Sequence, residues 1–157
     1  MKNISVTIQQ DDFDQQCLFQ NLRTLSGNNA GAINAFTGLV REVDKEKQAK
    51  LSALYLEHYP AMTEQSLLEI AEKALLKFSL SAIIIVHRVG KLSVGEQIVY
   101  VAASSAHRKS SFEGTQFIMD FLKNDAPFWK KEFREDGSEK WIEQKQSDRD
   151  ASSNWLD

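Results

Sequence analysis

The chain has 157 residues, 42% of them hydrophobic and 26% charged, with a formal net charge of −3. That profile fits one soluble globular domain and excludes a disordered chain. The negative balance removes the global positive field that recruits nucleic acid or an anionic membrane, so any anion must be captured by a local cluster.

The first eight residues alternate apolar and polar side chains, which predicts a strand over residues 4–8, and they lack the continuous apolar run of a signal peptide. No stretch approaches the ~20 apolar residues needed to span a bilayer. Asp11 or Asp12 is expected to cap a short helix through Leu25, which ends at the turn Ser26-Gly27-Asn28-Asn29. Cys17 is the single cysteine. It excludes an intramolecular disulfide and fits a cytoplasmic location. Its acidic neighbours would raise a thiol pKa, so it reads as a partly buried structural residue. One cysteine and three histidines offer no ligand pair at metal spacing, so neither a metal nor a cofactor is expected.

Residues 30–40 form a second predicted strand, with Gly38 marking a bulge. Residues 41–50 are charged and aperiodic, the pattern of a mobile surface loop. Residues 51–58 alternate again, predicting a strand that ends before Pro60. Thr63 is expected to cap the next helix, whose Leu67, Ile70, Ala71, Ala74, Leu75 and Phe78 fall in one stripe. Residues 82–89 read as a central strand, 90–95 as a turn, and 97–103 as a hairpin-connected neighbour. A helix over residues 109–123 stops at Pro127. Residues 128–133 and 140–143 then pair around Asp136-Gly137. Strands and helices mixed with hairpins imply an α+β fold. We expect one domain over residues 1–145, followed by a polar tail over 146–157.

Two segments carry chemistry. Lys123 and Lys130 flank Pro127, Phe128 and Trp129. An ammonium beside apolar surface loses hydration, and two such groups near each other make a receptive site for an anion. In Ser104-Ser105-Ala106-His107-Arg108 a strand gives way to small residues and a helix start. Unpaired N–H groups and the helix dipole favour an anion there, with Arg108 as a forked donor and His107 titrating near neutrality. The alternative is that Ser104 or Ser105 caps the helix while His107 and Arg108 face solvent. Arg41 stands where a strand meets a loop. Glu57 and His58 are strand neighbours and point to opposite faces, so His58 reads as structural or as an interface residue. His87-Arg88 stays open between such roles. Trp129 and Trp141 are expected to close the core or a subunit interface.

Six segments in order resemble the large, catalytic subunit of molybdopterin synthase. They are Phe36-Thr37-Gly38-Leu39-Val40-Arg41, Leu56-Glu57-His58-Tyr59-Pro60-Ala61-Met62, His87-Arg88-Val89-Gly90, Ser104-Ser105-Ala106-His107-Arg108, Gln116-Phe117-Ile118-Met119-Asp120-Phe121-Leu122-Lys123 and Ala126-Pro127-Phe128-Trp129-Lys130-Lys131-Glu132. The resemblance implies an α/β-hammerhead-like α+β domain with a small additional antiparallel β part, dimeric. It implies sulfur transfer to cyclic pyranopterin monophosphate from the Gly-Gly thiocarboxylate of a small ubiquitin-like partner. Two large subunits would form a homodimer within a heterotetramer, with a partner's tail threaded into each pocket. Because the partner carries the sulfur, this chain would need no reactive cysteine. Lys123 and Lys130 match the family's catalytic lysines, Lys123 stabilising the tetrahedral anion as sulfur leaves the carbonyl or relaying protons. Lys130, desolvated by Phe128 and Trp129, would assist or hold the tail. Leu39, Val40, Arg41, His107 and Arg108 would bind the substrate's phosphate and pterin, with Lys131 and Glu132 at the rim. Leu39 stands where many relatives carry a lysine, which removes one positive contact from the mouth.

Overall fold

The computed structural model describes residues 3–44, 49–142 and 146–155. In chain order the elements are β1 (Ile4–Gln9), α1 (Gln15–Ser26), β2 (Ala32–Leu39), β3 (Val43–Asp44), β4 (Ala49–His58), α2 (Met62–Lys77), β5 (Ala82–Arg88), β6 (Gly90–Ser93), β7 (Gln97–Ser105), α3 (Arg108–Asp125), β8 (Phe128–Arg134), β9 (Glu139–Ile142) and α4 (Gln146–Ser153). Two sheets result, and the mixture of helices with hairpin-built sheets is the α+β arrangement that the sequence predicts. The first has strand order β1-β5-β7-β2, and the second β3-β4-β8-β9 with β6 also paired to β4. Among the described residues only β1 and β5 run parallel.

The isoleucine run folds as β5, with all seven residues buried. A strand covered on both faces has no need of alternation, which is why this one reads as a continuous apolar run. Ile83 and Ile85 face α2 and α3 within the main core, alongside Leu67, Ile70, Phe117 and Ile118. Ala82, Ile84 and Val86 face the other way, against Leu22 of α1, Phe13 and Tyr100. Each such aliphatic side chain contributes about 1.5–3 kcal/mol on burial. The predicted apolar stripe of α2 is the face that meets this core, with Leu67, Ile70, Ala71, Ala74 and Leu75 all buried. Among the described residues, no helix is long and apolar enough to cross a membrane.

Several local expectations are corrected. Helix α1 is capped by Asp14, whose side chain accepts from the Cys17 N–H, and not by Asp11 or Asp12. Asp12 is engaged elsewhere, accepting from Phe13 N–H and from Gln97. Cys17 is exposed rather than partly buried. Thr63 does not cap α2: the cap position is Ala61, at φ 69°. Thr63 is buried inside the first turn, where its hydroxyl accepts from Tyr59 N–H at 2.9 Å and donates to Pro127 O at 2.9 Å. It thus ties the start of α2 to the junction between α3 and β8.

The charged segment 41–50 contains a short hairpin, Val43 pairing with Lys50 and Asp44 with Ala49. Lys50 bridges Glu42 at 3.3 Å and Glu135 at 3.5 Å, which ties the hairpin base to the next strand. The rest of that predicted loop, 45–48, lies outside the described residues, as does the expected strand end at Glu143. The predicted turn at 90–95 begins with a strand. Gly90, at φ 91°, turns the chain out of the first sheet, and β6 pairs with β4 before the chain returns as β7. β7 is the antiparallel neighbour of β5, as the sequence implies.

The polar tail also carries structure, since α4 packs along α3. Trp155 donates from Nε1 to Asp120 at 2.7 Å and sets its ring edge-on to Phe78 and Phe117. Trp129 and Trp141 do not close the core of this chain, being 47% and 51% exposed.

Candidate active site

Three elements bring cationic side chains to one hollow of about 440 Å³, which β5 and β7 also line. The first is the end of β2. The Gly38–Leu39 step shifts register against β7, the bulge that the sequence anticipates. Gly38 is needed there, since a Cβ would lie 2.9 Å from Val99 Cγ1. Beyond the bulge Val40 turns inward, 2% exposed, and packs with Leu56 and Leu92. Its neighbours Leu39 and Arg41 line the hollow.

The second element is the last turn of α3. Met119, Leu122, Lys123 and Ala126 all line the hollow, spaced as residues on one helical face are. Pro127 then stops the helix. Its carbonyl, held by Thr63, fixes where β8 begins. β8 is the third element. Phe128 and Lys130 lie two residues apart and so share a strand face, which lines the hollow. Trp129 points to the opposite side, into a separate aromatic groove with Tyr59 and Trp141. Phe128 therefore supplies the apolar surface beside Lys130, and Trp129 does not.

His87, at the end of β5, forms the back wall. It is 3% exposed, and its ring stacks on Phe128 with centroids 3.8 Å apart and planes 18° off parallel. Nδ1 lies 2.8 Å from the Arg88 carbonyl. Burial pushes the His87 pKa down to about 3, with the charges of Lys130 and Lys123 and nearby His58 adding to the effect against the opposing backbone bond. Beside it, Arg88 is a structural clamp. Its guanidinium donates to the carbonyls of Gln10, Asp11 and Gln97 and to Glu96.

Of the residues singled out in the sequence, Lys123, Lys130, Arg41 and Leu39 are thus brought together. The others are not in this wall. Val40 is core. His107 and Arg108 are exposed at the far end of α3, fifteen residues and about 22 Å from Lys123 at 1.5 Å per residue. Ser104 and Ser105 do not cap α3. They belong to β7 and are buried, Ser104 meeting Ser26 and Ser105 donating to His107 O. Lys131 faces away, 2.7 Å from Glu139 and above the ring of Trp141. Glu132 is 2% exposed, with Arg134 Nε 3.9 Å from its carboxylate.

Sequence reasoning missed His87, Phe36 and Met119 as lining residues. Met119 was findable, four residues before Lys123 on the same helical face. His87 stood in one of the six matching segments, at the end of an apolar strand, but nothing local told a lining role from a structural one. The resulting hollow has three cationic side chains and an apolar wall of Phe36, Met119 and Phe128, with Phe36 and Leu39 exposed at its mouth. Such a site suits an anion that carries a flat, partly apolar body.

Comparison with known proteins shows what the chain is similar to. The model of the MoaE protein family matches residues 8–125. The molybdopterin synthase catalytic subunit of Haemophilus influenzae is 43% identical over 155 residues, covering 99% of this chain and 100% of that protein. That of Escherichia coli is 46% identical over 125 residues, covering 80% and 81%. Among solved structures, the molybdopterin biosynthesis MoaE protein of Burkholderia ambifaria superposes with a TM-score of 0.81 at 40% identity, covering 97% of each chain. Molybdopterin synthase of Staphylococcus aureus gives 0.76 at 32% identity, covering 91% and 98%. The chain belongs to the MoaE family of molybdopterin synthase catalytic subunits, enzymes of molybdenum cofactor biosynthesis.

Proposed function

We propose that this hollow is where sulfur passes from the thiocarboxylate tail of a small partner protein to cyclic pyranopterin monophosphate. The observation that carries the reading is the convergence of Arg41, Lys123 and Lys130, from three separate elements, on one apolar-walled cavity. Once the thiocarboxylate sulfur has bonded to the pterin side chain, Lys123 stabilises the tetrahedral oxyanion formed as water attacks the carbonyl. The C–S bond then breaks, leaving a carboxylate on the partner's tail and the sulfur on the pterin. Lys130 assists Lys123, and Arg41 takes phosphate oxygens in pairs, as a guanidinium does better than an ammonium. Phe36 and Phe128 offer faces to the pterin, and the exposed mouth admits the tail. The enzyme works in the cytoplasm, as a homodimer with a small subunit at each end.

His107 and Arg108 join this site from the second copy of the chain. Within one chain, α3 holds them about 22 Å from Lys123. A dimer that lays one α3 start against the other copy's cavity mouth supplies the phosphate contact assigned to them. Lys131 and Glu132 act indirectly, by fixing the strand that carries Lys130.

The test is a purified Lys123→Ala variant mixed with thiocarboxylated partner and the cyclic pterin. Turnover should fall by ~10²–10³, the usual cost of one oriented charge stabiliser, while partner binding persists. A normal rate overturns the assignment.

A further inference from the structure

One titratable side chain in the cavity has no task in the chemistry above. His87 lies at the back wall, 3% exposed, facing Lys123 of α3 and Lys130 of β8. Its ring is held in two ways. One face stacks on Phe128, and Nδ1 sits 2.8 Å from the Arg88 carbonyl. A carbonyl only accepts, so Nδ1 carries the proton and Nε2 keeps the lone pair. That carbonyl is itself fixed, because the Arg88 guanidinium is clamped by three carbonyls and Glu96. Phe128 and Lys130 project from the same face of β8, so the ring that covers Phe128 stands beside the Lys130 stem.

We propose that His87 is a positioning residue for sulfur transfer, whose Nε2 accepts a hydrogen bond from the Lys130 ammonium and aims that ammonium into the cavity. The inference rests on the reading of the cavity as the sulfur-transfer site. A neutral acceptor suits this task better than a carboxylate would. It orients the cation without cancelling the charge that the substrate's anionic groups require. The cavity lining accordingly contains no carboxylate among the described residues. The groups that face the ring are Lys123 from α3, Lys130 from β8, His58 from β4 and, across the cavity, Arg41 after β2. None of them stabilises an imidazolium, and burial disfavours it further, so the acceptor persists down to about pH 3.

Three substitutions separate positioning from mere packing. His87→Asn keeps a donor near Nδ1 for the Arg88 carbonyl but loses the acceptor at Nε2. His87→Gln keeps a polar acceptor at the Nε2 end. His87→Phe keeps only the stack on Phe128. In a turnover assay with thiocarboxylated partner, Asn and Phe should each lower kcat by about 10²-fold with KM little changed, the scale of a misplaced catalytic group. Gln should restore most of the rate. A normal kcat for His87→Asn overturns the proposal, as does a His87→Gln variant no faster than His87→Phe. Nitrogen-15 NMR of the ring supplies a readout independent of turnover: Nε2 should remain unprotonated at pH 5.5, and a protonated Nε2 overturns the proposal. Wild-type turnover in the same assay tests the underlying reading separately. An inactive wild type defeats that reading, whereas an active wild type beside an active His87→Asn defeats only the role of His87.

Discussion

His87 has one measurable consequence for folding that is independent of catalysis. Its pKa is about 3 in the folded chain against 6.5 for an unperturbed histidine, because burial penalises the charged ring. Between those values the unfolded chain binds a proton that the folded chain does not, so stability rises with pH across that window and falls on acidification. From pH 7 to pH 4 the loss should be about 3 kcal/mol, reckoned at about 1.4 kcal/mol per pH unit. Urea unfolding at the two pH values measures it, and His87→Phe should flatten the difference. A wild type equally stable at both would contradict the burial of a neutral ring. The depressed carboxyls of Asp12 and Asp136 disturb the comparison little, since most of their contribution is lost only as the pH falls below their ordinary value of 3.8. Arg88 shows the opposite treatment of a buried charge. Three carbonyls and a carboxylate satisfy it, so truncation to Leu should cost about 3–5 kcal/mol by stranding those acceptors. Equilibrium denaturation checks that value, and a near-neutral result would mean that the clamp is dispensable.

At the scale of elements, α3 carries the site at its C-terminal end and is braced there from outside. Asn124 donates to the Asp148 carbonyl of α4 at 2.6 Å, and Trp155 donates to Asp120 while packing on Phe117. These contacts flank Lys123 on the side away from the cavity. Trp155→Ala should therefore cost about 2–4 kcal/mol, the sum of a lost hydrogen bond to a carboxylate and partly buried ring contacts. For a chain of this length that lowers the melting temperature by roughly 5–12 °C. Calorimetry decides it, and an unchanged melting temperature would show α4 to be a passenger. The helical stripe of α2 and the bulge at Gly38 were readable in the sequence because each depends on local spacing or on one residue's conformational range. The hairpin at Val43–Lys50 and the strand β6 were not. The hairpin is local but its charged residues show no apolar alternation, while the partner of β6 in β4 lies beyond the whole of α2 and β5 in sequence.

For the whole molecule, the question is whether His107 and Arg108, at the far end of α3 from Lys123, serve a cavity of a second copy. If His107 and Arg108 serve the other copy's cavity, Lys123→Ala and Arg108→Ala each inactivate a different half of the same centre. Mixed dimers of the two variants then contain one cavity with both groups intact. Co-expression should recover about a quarter of wild-type activity per cavity for random pairing, above the ~10²–10³-fold loss of each parent. No recovery in verified mixed dimers would place Arg108 outside the partner's site. The sequence by itself determined the family and the α+β class, since ordered motifs and side-chain periodicity are local properties of the chain. The resemblance carried by those motifs also implied that a partner brings the sulfur, which leaves Cys17 without a catalytic task. Only the tertiary structure decided which cations share a cavity, that Trp129 turns away from Lys130, and that a neutral histidine stands behind both lysines. Those outcomes depend on which strand faces meet across the two sheets, and chain spacing does not encode that.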